Sequence, residues 1–150
     1  MIGIKFKIKD EYNVFLDMIL SHIESDNFKW IIVESEVYTK NGLELFDKTI
    51  YSNDEFKKLV KNENYYTVFS NVQLYNVEDE VCEIRNYEEF LKSKCILVAF
   101  ITDSSFVEIY AKDMELLKIL KNNAITSNFF AIEPITFSEK VRKVFSAYTD

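Results

Sequence analysis

The sequence predicts an α+β fold: a mostly antiparallel sheet with helices packed on one side. Three observations lead there. The first is Cys95 to Asp113, where Ile96 to Ile101 form an uncharged apolar run ending in Thr102-Asp103-Ser104-Ser105. A short apolar run bounded by polar residues reads as a strand buried on both faces, and Asp and Ser are turn residues because their side chains satisfy local backbone groups. Beyond the turn, Phe106, Val107, Ile109 and Ala111 interleave with Glu108, Tyr110 and Lys112, so this is a central hairpin. The second observation is strict alternation over residues 2–9, with Ile2, Ile4, Phe6 and Ile8 opposed to Lys5, Lys7 and Lys9. The third is that such strand patterns are separated by apolar residues recurring at helical spacing.

The elements follow in order. Asp10 can cap a helix carrying Val14, Phe15, Met18, Ile19 and Ile23, ending near residues 24–27. Residues 28–40 return to strand. Asn41-Gly42 then predicts a hairpin with a type I′ turn, which needs positive φ at both central positions. Ser52 with Glu55 fits a capping box for a short helix burying Phe56, Leu59 and Val60. Residues 65–75 and 81–85 read as strands, and Asn86 with Glu89 caps a short helix between them and the central hairpin. Asp113 caps a helix carrying Met114, Leu117, Leu120 and Ala124. Residues 129–135 form a last strand, which Pro134 places at a sheet edge or bulge. Ser138 opens a final amphipathic helix with Val141, Val144, Phe145 and Tyr148 on one stripe. The order fits a single domain over 1–150. Two arrangements satisfy it: one larger antiparallel sheet, or two ferredoxin-like βαββαβ halves, 1–76 and 77–150.

Composition narrows the function classes. With 48% hydrophobic and 15% aromatic residues in 150, the chain can bury a sizeable core. A net charge of −7 disfavours generic binding to nucleic acid. No apolar run reaches the roughly 20 residues of a membrane span, and the N-terminus lacks a signal-peptide core, so a cytoplasmic protein is expected. Abundant Lys, Asn, Ile, Phe and Tyr beside only two arginines, Arg85 and Arg142, suits a low-GC bacterium or its phage.

No catalytic or cofactor motif stands out. Gly3 and Gly42 cannot build a phosphate loop. Cys82 and Cys95, both in expected strands, read as small hydrophobes, since two thiols without clustered histidines do not complete a zinc site. His22 is the only histidine and sits on the core side of the first helix without a motif partner. The acidic stretch Glu78-Asp79-Glu80 with Glu83, Glu88 and Glu89 lacks the calcium-loop pattern and reads as a solvated turn. Two other groups stand out. Trp30, Glu34, Glu36 and Tyr38 share one phase of a strand, giving aromatics and carboxylates on one face, a surface suited to a protein partner, or else an outer sheet face with Trp30 tucked under a helix. Asp103, Ser104 and Ser105 at a strand end, with Arg85 and Tyr110, supply polar groups for a small ligand, or only tight-turn chemistry.

The chain resembles a family of small proteins of unknown function from Bacillus-like bacteria and their phages. The resemblance rests on Gly3-Ile4 with Phe6 and Ile8, Trp30-Ile31-Ile32-Val33-Glu34 leading to Glu36-Val37-Tyr38, Tyr87-Glu88-Glu89-Phe90-Leu91, and the Asp103-Ser104-Ser105 hairpin running to Ile109-Tyr110. It covers most of the chain and fades over the last 20 or so residues. It implies a bacterial or phage intracellular protein and no assignable catalytic residues.

The expected function is therefore that of a small acidic binding protein of the immunity, antitoxin or inhibitor kind, with Trp30, Glu34, Glu36 and Tyr38 meeting a protein partner. The alternative is a small-ligand binder sequestering a nucleotide-type signal, as in phage anti-defence, through Arg85, Asp103, Ser104, Ser105 and Tyr110. An enzyme built on Asp103 and dispersed carboxylates ranks last. No cofactor, metal, nucleic acid or membrane is expected, and a homodimer through a Tyr- and Phe-rich face stays open.

Overall fold

A computed structural model of the chain describes residues 1–137 and 141–146. Seven strands form one antiparallel sheet: β1 (Gly3–Lys7), β2 (Phe28–Thr39), β3 (Ile50–Ser52), β4 (Tyr65–Asn76), β5 (Leu97–Thr102), β6 (Phe106–Ala111) and β7 (Phe130–Ile135). Their spatial order is β3-β2-β4-β5-β6-β1-β7. The single-sheet arrangement is thus the one adopted. The first strand does not pair within its own half but lies between β6 and β7. Gly3 permits this closeness, because a Cβ there would stand 2.5 Å from the Ile109 carbonyl oxygen. Pro134 lies on edge strand β7, where no ladder donor is needed.

Helices α1 (Phe15–Leu20), α2 (Asn53–Asn62) and α4 (Met114–Thr126) cover one face, burying Trp30, Ile32, Leu97, Ala99 and Ile101. The opposite face carries Ile31, Val98, Phe100 and Tyr110, and is covered by α3 (Tyr87–Lys92) and by Phe145. Among the described residues, one helix of the four therefore departs from the expected side. Ser52 and Glu55 make both bonds of the predicted capping box, and Asn86 and Asp113 accept backbone N–H groups at the starts of α3 and α4.

Several local expectations are corrected. Asp10 does not cap α1. Asn13 bridges to Tyr65 in extended pairing, so the helix starts later, and the Tyr65 hydroxyl accepts the Leu16 N–H at 3.0 Å while donating to the Val60 carbonyl at 2.7 Å. The same helix stops at Leu20, and His22 turns into positive φ (69°) with Nδ1 3.1 Å from Asn123 Oδ1. The buried Asn123 amide also donates to the Ile19 and Ser21 carbonyls, an α4 side chain closing the end of α1. At the Asn41-Gly42 reversal only Gly42 has positive φ (80°), and the loop closes with Thr39 N–H donating to the Leu43 carbonyl. That leaves one extra residue in place of the two-residue turn. The double positive-φ turn occurs instead at Asp103 (50°) and Ser104 (62°), pinned by the Ser104 N–H donating to the Val68 carbonyl at 2.9 Å.

Residues 81–85 are not a strand. Both edges of neighbouring β4 are occupied by β2 and β5, so no ladder was open to them. Cys82 is consequently exposed, while Cys95 is buried just before β5, with burial pushing its thiol up to about 12. Of the expected final helix, Ser138 and Tyr148 lie outside the described residues. Residues 141–146 are irregular, with Phe145 inward and Val144 outward.

Burial raises the phenols of Tyr65, Tyr75 and Tyr110 well above their ordinary range. A folded-state value above the unfolded one means their contribution is intact below about pH 10 and is lost as the pH climbs past it. Above about pH 10 each should cost up to ~1.4 kcal/mol of stability per pH unit, until the folded-state phenols themselves ionise. Urea midpoints measured across this range, with phenolate absorbance followed alongside, should fall steeply and ionise the buried phenols only on unfolding.

Candidate functional site

The alternation along β2 is interrupted, and that decides where the predicted residues go. A bulge at Val33, between Ile32 and Glu34, reverses the phase of the strand. Trp30 therefore enters the helix-side core at 0% exposure, stacked on Phe56 at 4.4 Å with its Nε1 donating to Asn53 Oδ1 at 2.8 Å. This corrects the four-residue face. Glu34, Glu36 and Tyr38 stay together on the opposite face, and Trp30 does not join them. Glu34 accepts from Asn71 Nδ2 at 3.2 Å and from the Ser146 hydroxyl at 3.1 Å.

Farther along β2, the Tyr38 hydroxyl donates to Glu36 at 3.2 Å, and Tyr38 lies opposite Tyr66 in β4. The Tyr66 hydroxyl donates to Asp10, whose carboxylate raises that phenol above its usual range, and Ser104 also hydrogen-bonds it. The exposed Tyr12 ring lies 5.5 Å from that of Tyr66, with the Lys40 ammonium 5.9 Å from the Tyr12 centroid. A second β2–β4 irregularity, between Glu36 and Val37, brings Tyr66 onto this face. Four chain segments thus gather three tyrosines with Asp10, Glu36 and Ser104 at one end of the sheet. Sequence reasoning missed Asp10, Tyr12 and Tyr66. Tyr66 carried a usable signal as the polar-facing neighbour of a buried tyrosine, whereas the other two depend on the path after β1.

The alternative ligand set does not converge. Asp103 and Ser104 sit at the Val68 end of β4, and the Ser105 carbonyl accepts from Ile8 N–H at 2.8 Å. Arg85 lies beyond the Tyr75 end, on the order of 20 Å away along the strand. Its guanidinium is bidentate with Glu89, from 2.8 to 3.2 Å, which holds that carboxyl down at about 2. Tyr110 is 0% exposed, inside the second core. The separation follows from β4 running between the two ends.

Beside Glu34 a cleft of about 550 Å³ opens between β2, β4, the 81–85 segment and residues 144–146. Ile31, Val33, Ile84, Val144 and Phe145 make its apolar walls, with Gln73 and Glu34 as polar members. Among the described residues no three His, Cys, Asp or Glu side chains cluster to hold a metal ion, and no helix is long and apolar enough to cross a membrane.

The chain was compared with known proteins. No solved structure matches it. It is 32% identical over 146 residues to the uncharacterized protein YncE of Bacillus subtilis (strain 168), an alignment covering 93% of this chain and 95% of that one. A family model described as "protein of unknown function (DUF2691)" matches residues 1–146. The chain belongs to that family.

Proposed function

We propose that the protein is a binding protein of the inhibitor, immunity or antitoxin kind, which captures a basic protein partner on the tyrosine and carboxylate face. The observation that carries this reading is the convergence of Tyr12, Tyr38 and Tyr66 with Asp10 and Glu36 from separate chain segments. Tyrosine supplies large, rigid contact area with a polar tip, and it is enriched at the energetic centres of interfaces. The carboxylates, on a chain of net charge −7, steer a basic surface toward it. Lys40 beside Tyr12 illustrates the chemistry, with a cation resting near a phenol ring.

The test is affinity capture from a low-GC bacterial lysate, comparing the wild-type chain with a Tyr12→Ala, Glu36→Lys variant. Both positions reach solvent, so the variant should melt near the wild-type temperature. A stoichiometric partner should be held by the wild type and weakened by ~30-fold or more in the variant. Its association should also slow as salt rises. A partner held equally by both chains would place the interface elsewhere, and an absence of any partner would end the reading.

A further inference from the structure

We infer that the cleft beside Glu34 is a binding site for a small uncharged carbonyl compound, an amide, lactam or lactone with an apolar body. It is separate from the tyrosine face, at the other end of β4.

Gln73 carries the argument. It is 2% exposed, yet it lines the cleft. Its one hydrogen bond among the described residues is that which Oε1 accepts from the Tyr75 hydroxyl at 3.0 Å. A primary amide has two N–H donors besides its oxygen, so the nitrogen, which Tyr75 does not engage, presents its donors at the cleft. A ligand that displaces solvent from the cleft must itself answer these donors, so an acceptor is required there. The walls restrict the rest of the molecule. Ile31, Ile84 and Phe145 are buried and apolar, with Val33, Val81 and Val144 exposed at the rim. A concave apolar pocket of this size with one or two placed polar groups is the usual form of a small-molecule site.

Charge decides which acceptor fits. Glu34 and Glu83 both line the cleft, so an anionic acceptor would meet two carboxylates. Arg85, also lining it, is already bidentate with Glu89 and does not offset them. A simple cation offers the Gln73 nitrogen no lone pair. A neutral carbonyl oxygen on an apolar ring or chain satisfies both requirements.

The readout is direct, because Gln73 is the only glutamine in the chain. Protein labelled with 15N at glutamine gives one side-chain amide pair, to be titrated with three probes sharing a pentyl tail: a six-membered lactam, the matching lactone, and the open-chain carboxylate. The expected result is a saturable shift of the Gln73 amide pair with one or both neutral probes. The carboxylate should bind at least ~10-fold more weakly. A lactam-only response assigns amide ligands, and a lactone-only response assigns esters. The rim variant Val81→Trp alters an exposed side chain, and should abolish the shift without moving the thermal midpoint. Gln73 signals unmoved by either neutral probe at millimolar concentration would overturn the assignment. So would a carboxylate that binds as tightly, or a shift that survives Val81→Trp.

Discussion

Trp30→Ala should lower the unfolding free energy by about 3–5 kcal/mol, the cost of emptying a large aromatic site that the core cannot collapse around. The indole is fully buried, stacked on Phe56, which in turn stacks on Phe46 at 6.1 Å. Truncation would open a void among these rings and leave Asn53 Oδ1 without its donor. For a domain of ordinary stability, ~5–15 kcal/mol, that is a large share of the total. Trp30→Phe keeps much of the stack and loses only the hydrogen bond and some volume, so it should cost about 1–2 kcal/mol. Because Trp30 is the only tryptophan, urea unfolding must be followed by circular dichroism and not by its fluorescence. A Trp30→Ala protein with an unchanged midpoint would show that the ring is not a core element. Loss of partner capture in this variant would by itself say nothing about the interface, since the fold beneath it would be weakened too.

The same residue shows what the sequence made legible and what it hid. Strand periodicity identified β2 and its residue types correctly, but a period-2 argument assumes an uninterrupted pleat. One bulge at Val33 moved Trp30 to the far side from Glu34, and nothing in Ile-Ile-Val-Glu announces a bulge. The capping residues Ser52, Asn86 and Asp113 were readable because their function is local, a side chain answering an N–H within three residues. The failed cap at Asp10 was decided from elsewhere, by Tyr65 pairing with Asn13 across the sheet. Residues 81–85 have the composition of a strand, and only the full strand order shows that both edges of neighbouring β4 were already taken. The tyrosine face and the Gln73 cleft were illegible for the same reason. Each is assembled by β4 pairing, between segments far apart in the chain.

Arg142 extends this to energetics, where it counted in the sequence only as one of two arginines. The irregular segment 141–146 lies on the second face without a helix or strand of its own, so apart from the Phe145 N–H donating to the Arg85 carbonyl at 3.0 Å its attachment depends on side chains. Arg142 supplies several of them at once. Its guanidinium lies 3.4 Å from Glu108, 4.7 Å from the Phe100 ring centroid, and donates to the Ser146 carbonyl at 3.0 Å. Its backbone N–H donates to the Tyr110 hydroxyl at 2.7 Å, and that hydroxyl donates onward to Glu108 at 3.2 Å. Removing one member of a buried ion pair costs about 3–5 kcal/mol, because the other charge keeps its desolvation and loses its compensation. The Glu108 side chain is 25% exposed, so water would take part of the burden and the lower end, ~3 kcal/mol, is expected for Arg142→Ala. Arg142→Lys should recover little, since one ammonium does not reproduce the forked donors that reach Glu108 and the Ser146 carbonyl together. The double change Arg142→Met with Glu108→Gln should be clearly more stable than Arg142→Met alone, as both buried charges then go together. Denaturant midpoints of the four chains in that cycle give the coupling energy, expected at about 1–3 kcal/mol. A coupling near zero would mean that Phe145 and Val141 hold the segment by apolar contact, with the guanidinium a passenger. In that case Phe145→Ala, not Arg142→Met, should be the substitution that loosens the wall of the cleft.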